Sequence, residues 1–199
     1  MRNGIYRHIG IGILCFGFGI RLLGLDKGIW FDEYRSLQVI LHEDFPINLV
    51  DFSVSPRPPF YFILLKLWSQ IGTSEQFLRL LSVVFGIGTI AVILSQMKRY
   101  SHLAGILASV YFTTLPVILR FSQEIRHYSL LLFATSLAFL FATHIANKPD
   151  KKSGYVGLAL SLTLATLTHI LGIMVTVSVF SFIITITLKD HVNRKCDLK

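Results

Sequence analysis

Cysteine is nearly absent. The 199 residues hold two, Cys15 inside an apolar run and Cys196 in the terminal tail. Two thiols placed so far apart exclude a disulfide-stapled secreted fold. Charge is scarce as well: 15% of residues are Asp, Glu, Lys or Arg, against 53% hydrophobic, and mean hydropathy is +0.62. A soluble domain cannot hide that much apolar surface, which leaves a multi-spanning membrane protein. Acidic residues are the scarcer sign, 11 against 19 basic, for a net charge of +8. In a soluble chain this excess would suggest nucleic acid. In a membrane chain it belongs in cytoplasmic loops, so no nucleic-acid partner is expected. No small-residue cleavage site follows the first apolar run, and Arg21-Leu22-Leu23 marks it as an uncleaved anchor. The two halves show no inverted repeat, which argues against a small transporter.

What is present reads as an all-α bundle of about six spans, each near the ~20 residues a bilayer requires. The expected spans are 9–25, 77–97, 103–119 and 129–146. Residues 154–188 are too long for one span, roughly 52 Å as a single helix, and should divide near Thr168-His169-Ile170-Leu171-Gly172. The apolar run 59–71 reaches only roughly 20 Å, so it should form a re-entrant or partly embedded helix. Ser36–Leu41 is expected to continue a short surface helix beyond Asp32-Glu33. Residues 1–188 thus make one transmembrane module with an outer loop over 26–76, and 189–199 a basic cytoplasmic tail.

Charge fixes the orientation. With both termini cytoplasmic, the inner segments are the start, 98–102, 147–153 and 189–199. They hold eleven bases and three acids, while the other eight bases and eight acids cancel. The positive-inside rule favours this arrangement. It places Asp32-Glu33, Arg57, Gln123–Tyr128 and His169 together on the outer side.

Ionisable residues at a membrane edge are candidate reaction sites. Trp30-Phe31-Asp32-Glu33-Tyr34-Arg35 sets two carboxylates and an arginine among aromatics. The ordinary alternative is a juxtamembrane loop anchored by Trp and Tyr. Asp32-Glu33-Tyr34-Arg35, then Arg57-Pro58-Pro59-Phe60-Tyr61-Phe62 with Arg79-Leu80-Leu81-Ser82, then Ser122-Gln123-Glu124-Ile125-Arg126-His127-Tyr128 follow one another along the chain. In this order the blocks resemble those of the GT-C glycosyltransferases, in particular the protein O-mannosyltransferases and bacterial aminoarabinose transferases. Arg57 stands where many members have His or Lys, and His127 where the family has proline.

The resemblance implies an integral, multi-pass protein of the bacterial plasma membrane. Such an enzyme moves a sugar, with inversion, from a polyprenyl-phosphate donor to an acceptor at the outer face. It implies Asp32 as the general base, with Glu33 as a second catalytic residue that either orients its neighbours or binds a cation. Arg35, Arg57 and Arg126 become candidates for the lipid phosphate, whose growing charge a guanidinium fork suits. Tyr61, Gln123, Glu124, Tyr128 and His169 complete the expected substrate-binding set. Glu124 with His169 offers at most two ligands to a divalent cation, too few to define a site. Full family members carry more spans, so a partner protein supplying the missing ones is a further expectation. The alternative activity is a non-catalytic protein that binds polyprenyl-phosphate lipid.

Overall fold

The computed structural model describes residues 2–41, 59–96 and 101–196, with side chains described for 4–41, 59–96 and 101–188. Arg57 and the pair Lys98-Arg99 lie outside the described residues. Helices α1 (Arg2–Leu22), α2 (Phe31–Leu41), α3 (Phe60–Ser69), α4 (Glu75–Ser95), α5 (His102–Thr114), α6 (Pro116–Phe121), α7 (Tyr128–Asn147), α8 (Lys152–Thr168) and α9 (Leu171–Cys196) account for them. No strand occurs among the described residues. Four segments are long and apolar enough to cross a bilayer: Gly4–Leu22, Glu75–Ser95, Tyr128–Asn147 and Leu171–Leu188. Phe60–Ser69 and His102–Thr114 are shorter apolar helices. This is the all-α membrane bundle that composition required.

Local chemistry explains where the helices begin and end. Ser74 and Ser101 cap α4 and α5, accepting from the Phe77 and Ala104 amides at 3.3 and 3.5 Å. The expected 103–119 span is not one helix. It breaks at Leu115, which is extended (φ −61°, ψ 119°), because Pro116 disfavours helical geometry in the residue before it and then starts α6 from its first position. The 154–188 run divides at the expected place, with His169 extended between α8 and α9. Gly172 makes that reversal possible. A Cβ there would overlap the backbone of Ala165 and Thr166, so only glycine lets α9 start this close to the end of α8.

The helix that Ser36–Leu41 continues beyond the acidic pair is not a surface helix. It starts at Phe31, taking Asp32 and Glu33 into its first turn, where carboxylates complement the helix dipole. Glu33, at the third helical position, also accepts the Trp30 amide at 3.4 Å, half of a capping box. Glu33, Ser36, Val39 and Ile40 form a buried stripe, while Phe31, Tyr34, Arg35 and Leu41 stay exposed. Val39 and Ile40 join Tyr61, Phe62 and Leu65 of α3, Leu78 and Leu81 of α4, Ile125 and Leu130 in one core. The short apolar helix α3 is therefore clamped between α2 and the bundle. Trp68 fixes its far end by donating to the Phe77 carbonyl at 2.9 Å and stacking on that ring.

A second core joins α7, α8 and α9 through Ala138, Ala142, Ile145, Leu158, Leu162 and Val179. Small residues dominate the α7 face, as they do where membrane helices approach closely. The result holds the start of α7 and the α8–α9 turn side by side.

Candidate active site

Two adjacent carboxylates on one turn of α2 meet opposite environments. Glu33 is 2% exposed and faces Arg79 of α4, itself 1% exposed. The guanidinium donates Nε to Oε1 at 2.9 Å and Nη2 to Oε2 at 2.8 Å, a bidentate fork. Glu33 Oε1 also accepts the Ile125 amide at 2.9 Å. The other side of Arg79 gathers the loop after α1: Nη1 donates to the carbonyls of Leu25 and Lys27 at 2.7 and 2.6 Å, and Nη2 to that of Gly28 at 3.3 Å. Burial alone would push the Glu33 carboxyl up. The Arg79 fork, the Ile125 amide, the Arg79 charge and the Trp30 amide outweigh it and hold the group below its ordinary value. This pair ties four separate stretches of chain into one rigid frame.

Asp32 points the other way. Its side chain is 35% exposed and lies 3.6 Å from Nη2 of Arg126, whose side chain is 16% exposed. Arg126 also donates Nη1 to the Asp32 carbonyl at 3.2 Å and Nη2 to the Tyr128 hydroxyl at 3.2 Å, with its charge over the Tyr128 ring. The turn that presents Arg126 is held from below, since Ser82 of α4 donates to the Glu124 carbonyl at 2.6 Å. Beside it, the His127 and His169 rings stack at 4.6 Å with 19° between planes, and Tyr61 meets His127 edge-on at 6.1 Å. Asp32, Tyr61, Arg126, His127, Tyr128 and His169, drawn from α2, α3, the α6–α7 turn and the α8–α9 turn, thus form one cluster.

Other expected site residues have different places. Arg35 is exposed and lies over the ring of Phe31 in its own helix, at 5.5 Å, outside the cluster. Gln123 is a clamp on the end of α1. Its amide nitrogen donates to the carbonyls of Ile20 and Arg21 at 3.1 and 3.2 Å, and its oxygen accepts Lys27 Nζ at 2.8 Å. Glu124 pairs with Arg120 at 2.6 Å rather than with Arg126. No group of three or more His, Cys, Asp or Glu side chains placed to hold a metal ion occurs among the described residues.

Two functional contributors were not singled out from sequence. Arg79 lay within a quoted motif block but was not given a role. The available signal was its position inside a span, where a charge needs a partner at depth. His127 registered only as a departure from proline.

Burial first, then the neighbouring His169 and the Arg126 charge, pushes the His127 imidazole down to about 3. His169 is lowered too, by burial and then by Arg126. Both are therefore neutral at pH 7. A histidine held below its unfolded value of ~6.5 favours the fold fully above that pH and loses its contribution as pH falls toward 3, because the unfolded chain binds the proton more tightly. Lowering the pH from 7 to 5 should cost on the order of 2 kcal/mol through His127. His127→Phe should flatten this pH dependence in thermal melts of the detergent-solubilised protein. An unchanged pH profile in that variant would contradict the placement of a neutral His127.

Residues 56–196 match the family model described as dolichyl-phosphate-mannose-protein mannosyltransferase. The match takes in Tyr61, Arg79, the 122–128 block and His169, while Asp32 and Glu33 precede it. No curated protein and no solved structure gives a significant match.

Proposed function

Because the chain belongs to the dolichyl-phosphate-mannose-protein mannosyltransferase family, we propose that it transfers a sugar from a polyprenyl-phosphate donor to an acceptor at the outer face of the membrane, with Asp32 and Arg126 at the reacting centre. The observation that carries this is the division of labour on α2. Glu33 is locked in place by Arg79, and Asp32, the next residue, is half-open beside a guanidinium 3.6 Å away.

In the reaction the acceptor hydroxyl attacks the anomeric carbon while Asp32 takes its proton. The bond between that carbon and the phosphate oxygen breaks, and polyprenyl phosphate leaves with the electron pair. Arg126 stands where it would meet the charge growing on that phosphate, the position in which a fixed cation lowers the barrier. Glu33 acts through the frame rather than on substrate, by fixing the helical turn that aims Asp32. Arg57 is the further cation assigned to the phosphate by this reading. The exposed apolar surface of α9, including Ile173, Val177, Phe180 and Ile184, suits contact with membrane lipid.

Binding tests the reading before turnover does. The purified protein in lipid nanodiscs should bind polyprenyl phosphate, and Arg126→Ala should weaken that binding by roughly tenfold to a hundredfold, the value of one charge-assisted contact. Equal affinity in wild type and variant would remove Arg126 from the phosphate site. Binding that persists with no transfer under any condition would favour the non-catalytic lipid-binding alternative.

A further inference from the structure

Three polar atoms in the cluster are buried without a hydrogen-bond partner among the described residues: Tyr61 Oη, Arg126 Nε and His127 Nε2. An unsatisfied buried polar group is unfavourable, and native proteins keep few of them. Three from neighbouring side chains mark a place where a partner is absent. Tyr61 is a buried phenol with the Arg126 charge and the Ser82 hydroxyl beside it, and Ser82 spends its one proton on the Glu124 carbonyl and so does not donate to the phenol. His127 packs against the rings of His169 and Tyr128, at 4.6 and 4.5 Å, with Tyr61 edge-on. His169 is itself fixed, because its Nδ1 accepts the Leu171 amide at 3.1 Å. The rings therefore cannot easily turn to satisfy one another. Asp32, Arg126, His127, Tyr128 and His169 are all partly exposed, so the group opens outward while Tyr61 closes its base.

We propose that Tyr61 and His127 form a subsite for the hydroxyl groups of the donor sugar, and so let the protein distinguish a glycosylated polyprenyl phosphate from the bare lipid phosphate. This rests on the reading of Arg126 as the phosphate contact. The sugar is bonded directly to that phosphate, so its ring must lie within a few ångströms of Arg126, where the unsatisfied atoms are. The chemistry of the pair suits hydroxyls rather than a second anion. A phenol and an uncharged imidazole each offer one donor or acceptor in a fixed direction, and a sugar hydroxyl can serve both roles. Burial keeps His127 neutral, so it does not compete with Arg126 for the phosphate.

The test uses the full chain in nanodiscs with two probes, polyprenyl phosphate and polyprenyl-phosphate mannose. Wild type should bind the mannosylated lipid about tenfold more tightly, the effect of one or two neutral hydrogen bonds. Tyr61→Phe removes one oxygen, and His127→Phe keeps a ring in the stack while removing both nitrogens. Each should reduce the preference toward one while leaving the affinity for bare polyprenyl phosphate unchanged. Arg126→Ala should weaken both lipids alike. If His127→Phe does not fold, Tyr61→Phe decides alone. Equal affinity of wild type for the two lipids, or a preference that survives Tyr61→Phe and His127→Phe, overturns the subsite and leaves the phosphate reading standing. Failure of wild type to bind either lipid overturns both.

Discussion

Glu33→Gln should cost about 3–5 kcal/mol of folding stability, the range for removing one partner of a buried ion pair. The substitution conserves shape but leaves Arg79 charged, 1% exposed and without its counter-ion. Arg79 cannot withdraw to solvent, because the same guanidinium holds the carbonyls of Leu25, Lys27 and Gly28. The amide also presents a donor where the carboxylate accepted from Arg79, Ile125 and Trp30. Arg79→Leu should be about as damaging from the other side, stranding Glu33 and three carbonyls. Because the two losses share one network, the double variant should cost clearly less than their sum. Detergent-phase unfolding of the four proteins reads this directly. A Glu33→Gln protein that melts with wild type would mean the pair does not hold the outer end together.

Asp32→Asn, one residue away, should do the reverse. Its carboxylate is 35% exposed and 3.6 Å from Arg126. An ion pair so open to solvent is worth about 0–1 kcal/mol, so stability should scarcely move. Transfer from polyprenyl-phosphate sugar should fall by about 10²–10⁴, the usual contribution of a general base. Lipid binding should survive, because an interaction used only in the transition state is absent from ground-state affinity. The measurement is transfer in membranes alongside binding by the purified protein. Undiminished transfer in Asp32→Asn would remove Asp32 as the base, and lost binding would make it a ligand contact instead. The pair of results matters more than either alone: neighbouring carboxylates should separate cleanly into one that holds the fold and one that does chemistry.

The all-α membrane class, most of the long helices and the break near His169 were legible from composition and hydrophobic run length alone, because a bilayer imposes both. The outer end was less legible. Ser36–Leu41 suggested the continuation of a surface helix beyond the acidic pair, yet α2 buries one face on α3 and the bundle. Its pattern is amphipathic, but in so short a stretch sequence cannot say whether water or protein covers the apolar side. The 103–119 run was read as continuous because hydropathy does not register the backbone conflict before Pro116, which splits it.

Sequence by itself determined the class of protein, the family resemblance, and which residue types gather at the outer end. Only the tertiary structure decided who partners whom. Glu33 had Arg35 as a near neighbour in sequence and takes Arg79 of another helix; Arg126 had Glu124 two residues away and takes Asp32. The reason is geometric. Glu33 and Arg35 sit two apart on one helix and so do not face each other, while the non-helical turn carrying Arg126 is aimed by Ser82 and the Glu33 carboxylate rather than by its own sequence. A buried charge takes whichever partner can follow it out of water, and which one that is depends on how the helices pack.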